Sequence, residues 1–208
     1  MATAKDQLYV AVVGVGLVGG EFISQLLSLP RSPSPFRLVA ISSSKSCLLA
    51  PNPSAAALSF SSAGWKFDLQ QSSRKPDLAD LQEKLGVFAD QGHKVVLVDN
   101  TASDDVAQLY PAFLNAGVNV VTPNKKGFSG ELALYDRILD ASLKSGARFL
   151  NESTVGAGLP IISTLKELVA TGDKVRRYVA AYEWTDKITS TDSQNRRCIL
   201  GNDELHLQ

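Results

Sequence analysis

The amino-acid sequence predicts an α/β protein with a doubly wound parallel sheet. Strand-sized apolar segments alternate along the chain with segments whose apolar residues recur every three or four positions, as in amphipathic helices. The strand segments are almost continuously apolar, which is typical of strands that helices cover on both faces. Of the 208 residues, 44% are hydrophobic and 20% are charged, so the chain can bury a sizeable core.

The first predicted unit is a strand, a helix and a second strand. Residues 8–13 form a continuous apolar run, and the apolar residues within 18–29 recur at helical spacing until Pro30. Residues 30–35 contain three prolines and cannot continue a helix. We therefore expect the chain to resume as a strand at residues 36–41.

The rest of the chain continues this alternation after one segment of unclear pattern. Residues 42–75 are rich in serine, alanine and proline, and we expect a loop with short turns there. The predicted helices that follow cover residues 78–85 with Gly86 ending the helix, 104–115 with Pro111 kinking or splitting it, 131–144 and 159–170. The predicted strands cover residues 94–98, 118–121 and 147–150. Residues 176–208 show no helical periodicity.

Charge and cysteine content exclude several classes of protein. Twenty-one basic residues balance 21 acidic ones, so the chain lacks the positive field that binding to nucleic acid or to an anionic membrane requires. No apolar run approaches the ~20 residues of a membrane span, and residues 1–7 lack a secretory signal, so we expect a cytoplasmic protein. Cys47 and Cys198 lack the spacing of a disulfide framework or a zinc site. His93 and His206 have no nucleophile beside them, which argues against a hydrolase triad.

A GxGxxG motif follows the first strand and begins the first helix. It comprises Gly14, Val15, Gly16, Leu17, Val18 and Gly19. In such a turn the first glycine permits the tight bend, the second lets the backbone approach a pyrophosphate, and the third allows close packing of helix and strand. The amino end of the helix adds unpaired N–H groups and partial positive charge. Its place inside a strand-helix-strand unit favours dinucleotide binding over a purely structural turn.

The end of the second strand bears on which dinucleotide is bound. An acidic residue there would bind the ribose hydroxyl of NAD, but the chain has a serine run that includes Ser43, followed by Lys45. Hydroxyl groups and one cation suit the additional 2′-phosphate of NADP. We therefore expect NADP in preference to NAD, with a solvated serine-rich loop as the alternative interpretation.

Polar residues follow the third and fourth predicted strands. Asn100, Thr101 and Ala102 follow one, and Lys125 lies in residues 122–126 after the other. Both segments are expected at the carboxyl edge of the sheet, where ligands bind in open α/β folds. Asparagine and threonine can hydrogen-bond a nicotinamide carboxamide or ribose, and a lysine can bind a carboxylate or exchange a proton. The alternative is that both lysines of the second segment are solvated loop cations.

A second glycine-rich turn spans residues 152–160, between the fifth strand and the last helix. Its N–H groups can hold an anion, and its carbonyl groups can coordinate a hard cation together with the Glu152 carboxylate. It can equally be a tight structural connection with Pro160 at the helix start. The residues alone leave both interpretations open.

Four longer segments of the chain match a known enzyme family. They are VAVVGVGLVGGEF, LVDNTAS, VVTPNKKGFS and NESTVGAGLPIISTLKELVATGD, of which the last two are far more specific than GxGxxG. With these segments the chain resembles homoserine dehydrogenases, most closely the monofunctional fungal type, over about residues 8–175. The resemblance implies a Rossmann-like NAD(P)-binding domain over residues 1–150, the start of the catalytic domain over 151–175 and a divergent tail over 176–208.

The resemblance also implies a reaction and site residues. The family reduces L-aspartate 4-semialdehyde to L-homoserine with NADPH or NADH, on the route to threonine, methionine and isoleucine. By motif, the glycine turn and Thr101 would bind the coenzyme, and Lys125 would match one of two active-site lysines. A sodium ion would be bound by Glu152, Val155, Ala157 and Leu159. The expected chemistry is direct hydride transfer to the aldehyde, with a lysine supplying the proton or polarising the oxygen.

The chain departs from the family pattern after residue 175. The second active-site lysine, the substrate-binding acids and the dimerising region of this homodimeric family have no counterpart in residues 176–208. We therefore expect some coenzyme affinity and little turnover. Three hypotheses stay open: an impaired homoserine dehydrogenase, a non-catalytic NADP-binding module, and another oxidoreductase built on the same fold.

Overall fold

The computed structural model describes residues 7–29, 34–50, 57–62, 64–156 and 158–172, and a six-stranded sheet lies at its centre. The strands are β1 (Leu8–Val13), β2 (Phe36–Ser42), β3 (Cys47–Leu49), β4 (Lys94–Asp99), β5 (Asn119–Val121) and β6 (Phe149–Leu150). Their order in the sheet is β3-β2-β1-β4-β5-β6. Neighbouring strands are parallel except for β3, which pairs antiparallel with β2.

Helices cover both faces of this sheet. They are α1 (Leu17–Ser28), α2 (Trp65–Gln71), α3 (Leu78–Asp90), α4 (Asp104–Gln108), α5 (Tyr110–Asn115), α6 (Lys126–Ser129), α7 (Leu132–Ser145) and α8 (Ile161–Ala170). Tyr9 of β1 packs in the core that contains Phe88 of α3, whereas the adjacent Val10 packs in the core that contains Ile23 of α1. Both faces of the central strands are thus buried, and the predicted doubly wound α/β fold is confirmed.

Residues 42–75 are more regular than the loop predicted from their composition. β3 forms a hairpin with β2 in which Cys47 pairs with Ser42. α2 buries Trp65 and Leu69 in the core beside α1. The prediction was wrong here because a three-residue strand and a seven-residue helix are too short to show a clear periodicity among serines and prolines.

Two helix-breaking signals were tested by the structure. α3 continues past Gly86 to Asp90, so the prediction that Gly86 ends this helix was wrong. A Cβ at Gly86 would lie 3.2 Å from the Cβ of Ala116, so the glycine lets α3 approach the end of α5 closely. The split predicted at Pro111 is confirmed, because α4 ends at Gln108 and Pro111 lies in the first turn of α5.

Several predictions fall on residues outside the described ranges. These are the proline-rich turn at 30–33, Ala157 in the second glycine-rich turn, and the tail at 176–208 with its cysteine and histidine. The division into three regions stays a prediction. Within the described ranges, Cys47 is a buried free thiol, and no helix is long and apolar enough to cross a membrane.

Candidate coenzyme-binding site

The glycine turn between β1 and α1 holds three glycines with different surroundings. Gly14 has a φ of 86°, and a Cβ there would lie 2.7 Å from Thr101 Cγ2. A Cβ at Gly19 would lie 1.9 Å from the carbonyl oxygen of Gly14. A Cβ at Gly16 would meet none of the described atoms within 4 Å. Packing therefore requires the first and third glycines, whereas the second faces open space, as expected where a pyrophosphate approaches the backbone.

The amino end of α1 is suited to bind an anion. Gly16 is the N-cap, no side chain caps the first turn, and no acidic residue lies in it. Leu17 is 96% exposed and Val18 is also exposed, so the described chain leaves this end uncovered. The N–H groups of the first turn remain available to phosphate oxygens, and the helix dipole favours negative charge there.

Asn100 and Thr101 reach the glycine turn from the end of β4. Asn100 Nδ2 is buried and has no hydrogen-bond partner within the described residues. It would lie 3.3 Å from a Cβ at Gly19 and is thus close to the turn. Because a buried amide without a partner costs stability, Asn100 is a strong candidate donor to a bound ligand. Ala102, the third predicted residue of this loop, is exposed.

A buried hydrogen-bond network joins the ends of β4 and β5. Asp99 is fully buried, and its carboxylate accepts a hydrogen bond from Tyr110 Oη. The same carboxylate accepts from the N–H of Thr101 at 2.7 Å and from Asn124 Nδ2 at 3.1 Å. Burial and the neighbouring Asp99 carboxylate raise the pKa of Tyr110, so its phenol stays protonated and can donate. Thr122 completes the network, with its Oγ1 at 3.0 Å from Tyr110 Oη.

Two adjacent lysines at the start of α6 have different surroundings. Lys126 Nζ lies 3.1 Å from Asp104 Oδ2. Lys125 is exposed at the N-cap of α6, and no ion pair involves it within the described part of the chain. Asn124 donates from Nδ2 to the carbonyl of Ser103 at 2.9 Å, which ties this turn to the loop after β4. Lys125 is therefore the lysine whose ammonium group is available to a ligand beside that loop.

The serine turn between β2 and β3 is ordered by its own hydroxyl groups. Ser43 Oγ accepts hydrogen bonds from the N–H of Ser46 at 2.9 Å and of Lys45 at 3.1 Å. The turn adjoins the glycine turn, because the N–H of Gly14 donates to the Ser42 carbonyl at 2.9 Å. Ser43 thus shapes the turn, while Lys45 is exposed on it. That both residues bind the coenzyme stays a prediction.

The comparison with known proteins assigns the family. Residues 14–152 match the family model described as the NAD binding domain of homoserine dehydrogenase. The chain belongs to the homoserine dehydrogenase family. It is 41% identical to a homoserine dehydrogenase of Emericella nidulans over 179 residues, which are 86% of this chain and 48% of that protein. The chain thus spans about half the length of the curated relatives it matches, and the predicted resemblance to fungal homoserine dehydrogenases is confirmed.

Solved structures share the fold of this chain. A Candida auris protein of unknown function superimposes with a TM-score of 0.66 at 35% identity, over 81% of this chain and 45% of that one. A hyperthermophilic archaeal homoserine dehydrogenase mutant in complex with NADPH superimposes with a TM-score of 0.59 at 21% identity, over 79% of this chain and 50% of that one. The Rossmann-like fold is therefore the fold of the family.

Glu152 caps the amino end of α8. Its Oε1 accepts a hydrogen bond from the N–H of Ile162 at 2.8 Å, and its Oε2 accepts from the N–H of Ser163 at 3.0 Å. Pro160 directly precedes the helix. The carboxylate thus satisfies N–H groups at the helix start and complements the helix dipole, which agrees with a structural connection.

The predicted sodium site gains no support from the structure. Both oxygens of Glu152 are engaged by α8, and the Leu159 carbonyl accepts from the N–H of Ile161 at 2.9 Å. The side chain of Val155 is buried, and Ala157 lies outside the described residues. No three histidine, cysteine or acidic side chains of the described chain cluster as metal ligands. The Glu152 carboxylate and the Leu159 carbonyl thus have partners within the turn and the helix.

Sequence reasoning missed Tyr110 and gave Asn124 and Thr122 a different role. Asparagine and threonine of residues 122–126 were expected to bind the coenzyme, but both side chains are buried and bonded within the chain. Tyr110 lies on the buried side of α5, where its hydroxyl reaches Asp99. A tyrosine between apolar residues was its one sequence signal, and that pattern equally fits ordinary packing.

Proposed function

We propose that this chain is the coenzyme-binding half of a homoserine dehydrogenase that reduces L-aspartate 4-semialdehyde to L-homoserine with NADPH. The observation that carries this function is the contrast within the glycine turn. Gly14 and Gly19 are closed in by packing, whereas Gly16 faces open space at the uncapped amino end of α1. Family membership supports the same assignment, because the matched family model is an NAD binding domain.

Different residues suit different parts of the coenzyme. The first-turn N–H groups of α1 would bind the pyrophosphate. Lys45 would pair with the 2′-phosphate of NADP, since no acidic residue occupies residues 42–47 at the end of β2 to bind an NAD ribose. Asn100 Nδ2, which lacks a partner in the described chain, would donate to the dinucleotide beside the glycine turn, next to Thr101 and Ala102.

The exposure of Lys125 and the chemistry of its ammonium group support a role as proton donor. When bound, the reduced nicotinamide supplies a hydride to the aldehyde carbon. The Lys125 ammonium group would donate a proton to the carbonyl oxygen, or stabilise its negative charge, as the alcohol forms. Its neighbour Lys126 is paired with Asp104 and is less available.

A non-catalytic NADP-binding module is the second candidate function. The observation that favours it is that the matched family model, over residues 14–152, is a coenzyme-binding domain. If this candidate is right, residues 1–208 bind NADPH and do not oxidise it in the presence of aspartate semialdehyde. A rate close to that of a full-length relative would exclude the non-catalytic alternative.

A fluorescence titration tests the coenzyme assignment. The purified chain is titrated with NADPH and with NADH, and the Lys45→Ala variant is compared with Lys144→Ala, which removes an exposed lysine paired with Asp140 on α7. Loss of a phosphate contact is expected to weaken NADPH binding by about tenfold in the first variant only, with NADH unchanged. A well-folded wild-type chain that binds neither coenzyme at millimolar concentration would overturn the proposed function.

A further inference from the structure

We infer that Asn124 is a positioning residue, which holds Lys125 against the loop that binds the coenzyme. This inference rests on the proposed function, because it concerns how the same site is assembled. Asn124 is 3% exposed, so its side chain has no open path to substrate. Its effect on a ligand must therefore pass through the residues that it holds.

The side chain of Asn124 bridges two loops. Nδ2 donates to Asp99 Oδ2 at 3.1 Å and to the Ser103 carbonyl at 2.9 Å, which fixes both ends of the loop after β4. Oδ1 accepts from the N–H of Lys126 at 3.0 Å, which fixes the start of α6. Both N–H groups of the amide and one lone pair of its oxygen are thus used within the chain.

Lys125 lies between two anchored residues. The N–H of Asn124 donates to Thr122 Oγ1 at 2.9 Å, and the N–H of Lys126 donates to Asn124 itself. On the far side, the Lys125 carbonyl accepts from the N–H of Ser129 at 2.9 Å. The backbone of Lys125 is therefore held rigidly although its side chain is exposed, as a precisely placed proton donor requires.

The loop that Asn124 holds is the one that touches the glycine turn. Thr101 Cγ2 approaches Gly14 closely, and the N–H of Thr101 donates to the same Asp99 carboxylate that accepts from Asn124. The Asp99 carboxylate therefore connects Asn124, which holds Lys125, with Thr101, which contacts the glycine turn. Removal of the Asn124 amide would loosen Lys125 together with the loop that carries Asn100 and Thr101, and so weaken contacts with the nicotinamide half of the coenzyme. The turn that carries Lys45, which is proposed to bind the adenosine end, makes no hydrogen bond with Asn124 in the described chain.

The chain contains a matched control for this effect. Asn119 lies at the other end of β5, where its Nδ2 donates to the Val95 carbonyl at 2.8 Å and its Oδ1 accepts from the N–H of Arg148 at 2.9 Å. Asn119 joins β4 to the start of β6 at the amino edge of the sheet. Asn124 joins two loops in the same way at the carboxyl edge. Loss of either amide is expected to lower stability, but only Asn124 lies beside the site.

The test separates the nicotinamide end of the coenzyme from the adenosine end. Affinities for NADPH and for 2′,5′-ADP, which lacks the nicotinamide, are measured for the wild type, Asn124→Ala and Asn119→Ala, together with melting temperatures. We expect Asn124→Ala to raise the Kd of NADPH about tenfold and that of 2′,5′-ADP less than twofold, and Asn119→Ala to change neither. If Asn124→Ala does not melt cooperatively, the comparison uses Asn124→Ser, whose hydroxyl can still accept from the N–H of Lys126 but which loses both Nδ2 donors. The same two changes in affinity are expected of this variant.

Two results would overturn the inference. These are unchanged NADPH affinity in the Asn124 variant, and equal weakening of NADPH and 2′,5′-ADP. If the variants give one of these results and the wild-type chain binds both 2′,5′-ADP and NADPH, the inference is refuted but the proposed function is not. A wild-type chain that binds neither ligand would instead refute the proposed function itself.

Discussion

Alanine substitutions at Gly16 and Gly19 should separate coenzyme binding from folding. A Cβ at Gly19 would fall about 1.5 Å short of ordinary van der Waals contact with the Gly14 carbonyl oxygen. The glycine turn or α1 would have to shift, and overpacking of this kind costs about 3 kcal/mol. For a chain of this size, that cost lowers the melting temperature by about 6–12 °C. At Gly16 the added methyl meets open space and φ is −68°, so stability should change by less than about 1 kcal/mol.

The two variants should therefore show opposite losses. Thermal unfolding followed by circular dichroism measures stability, and NADPH fluorescence measures affinity. Gly16→Ala should melt close to the wild type and bind NADPH at least about tenfold more weakly, because its methyl group occupies the space that the pyrophosphate needs. Gly19→Ala should melt at a clearly lower temperature. The reasoning is refuted if Gly16→Ala binds NADPH like the wild type, or if Gly19→Ala is as stable as the wild type.

Two further predictions concern groups whose partners the structure defines. Tyr110→Phe should lower the free energy of unfolding by about 1–3 kcal/mol at pH 7, because the buried Asp99 carboxylate loses a donor. Because folding raises the pKa of Tyr110, the contribution of this group to the free energy of unfolding is complete below the unfolded pKa of about 10 and is lost as the pH rises further. The difference in the free energy of urea unfolding between wild type and variant should therefore narrow above pH 10. A difference that stays constant would contradict this. Glu152→Ala should speed hydrogen exchange of the α8 amides, because α8 loses its cap at Ile162 and Ser163. Exchange should be the same in sodium and choline chloride; protection that needs both sodium and Glu152 would instead establish the sodium site.

Much of the fold could be predicted because the parallel strands are buried on both faces. Residues 8–13 and 94–98 are continuous apolar runs, and the structure places strands there with nearly the same bounds. Helices α1 and α7 also follow their apolar periodicity closely. β3 is different, because an edge strand of three residues contributes too few side chains to the core to leave a pattern.

Gly86 shows why one residue type can be misread. A glycine near the end of a periodic segment usually ends a helix. In α3 the same residue lies where Ala116 approaches from α5, and the helix continues for four more residues. Only the packing of one helix against another separates these two uses, and a single sequence does not contain that information.

The site was predictable where chemistry depends on the backbone and less so where it depends on burial. The glycine turn has its expected geometry, because the motif itself assigns the first and third glycines to close packing and the second to open space. The polar residues after β4 and β5 gave no such signal, since asparagine in a loop can face a ligand, water or the interior. Asn100 and Asn124 illustrate the difference, since both follow a strand at the same edge of the sheet. Asn100 Nδ2 lacks a partner in the described chain, whereas Asn124 Nδ2 donates two hydrogen bonds.

That difference assigns the two asparagines to successive tasks at one site. A buried amide that lacks a partner is costly unless a ligand supplies one, so Asn100 is placed to contact what binds. The buried Asn124 amide already makes three hydrogen bonds within the chain, so it is suited to keep its neighbours fixed. Lys125 is one of those neighbours. Its ammonium group is exposed, whereas its backbone is held by hydrogen bonds. A proton donor that must meet a substrate oxygen in one geometry needs both properties.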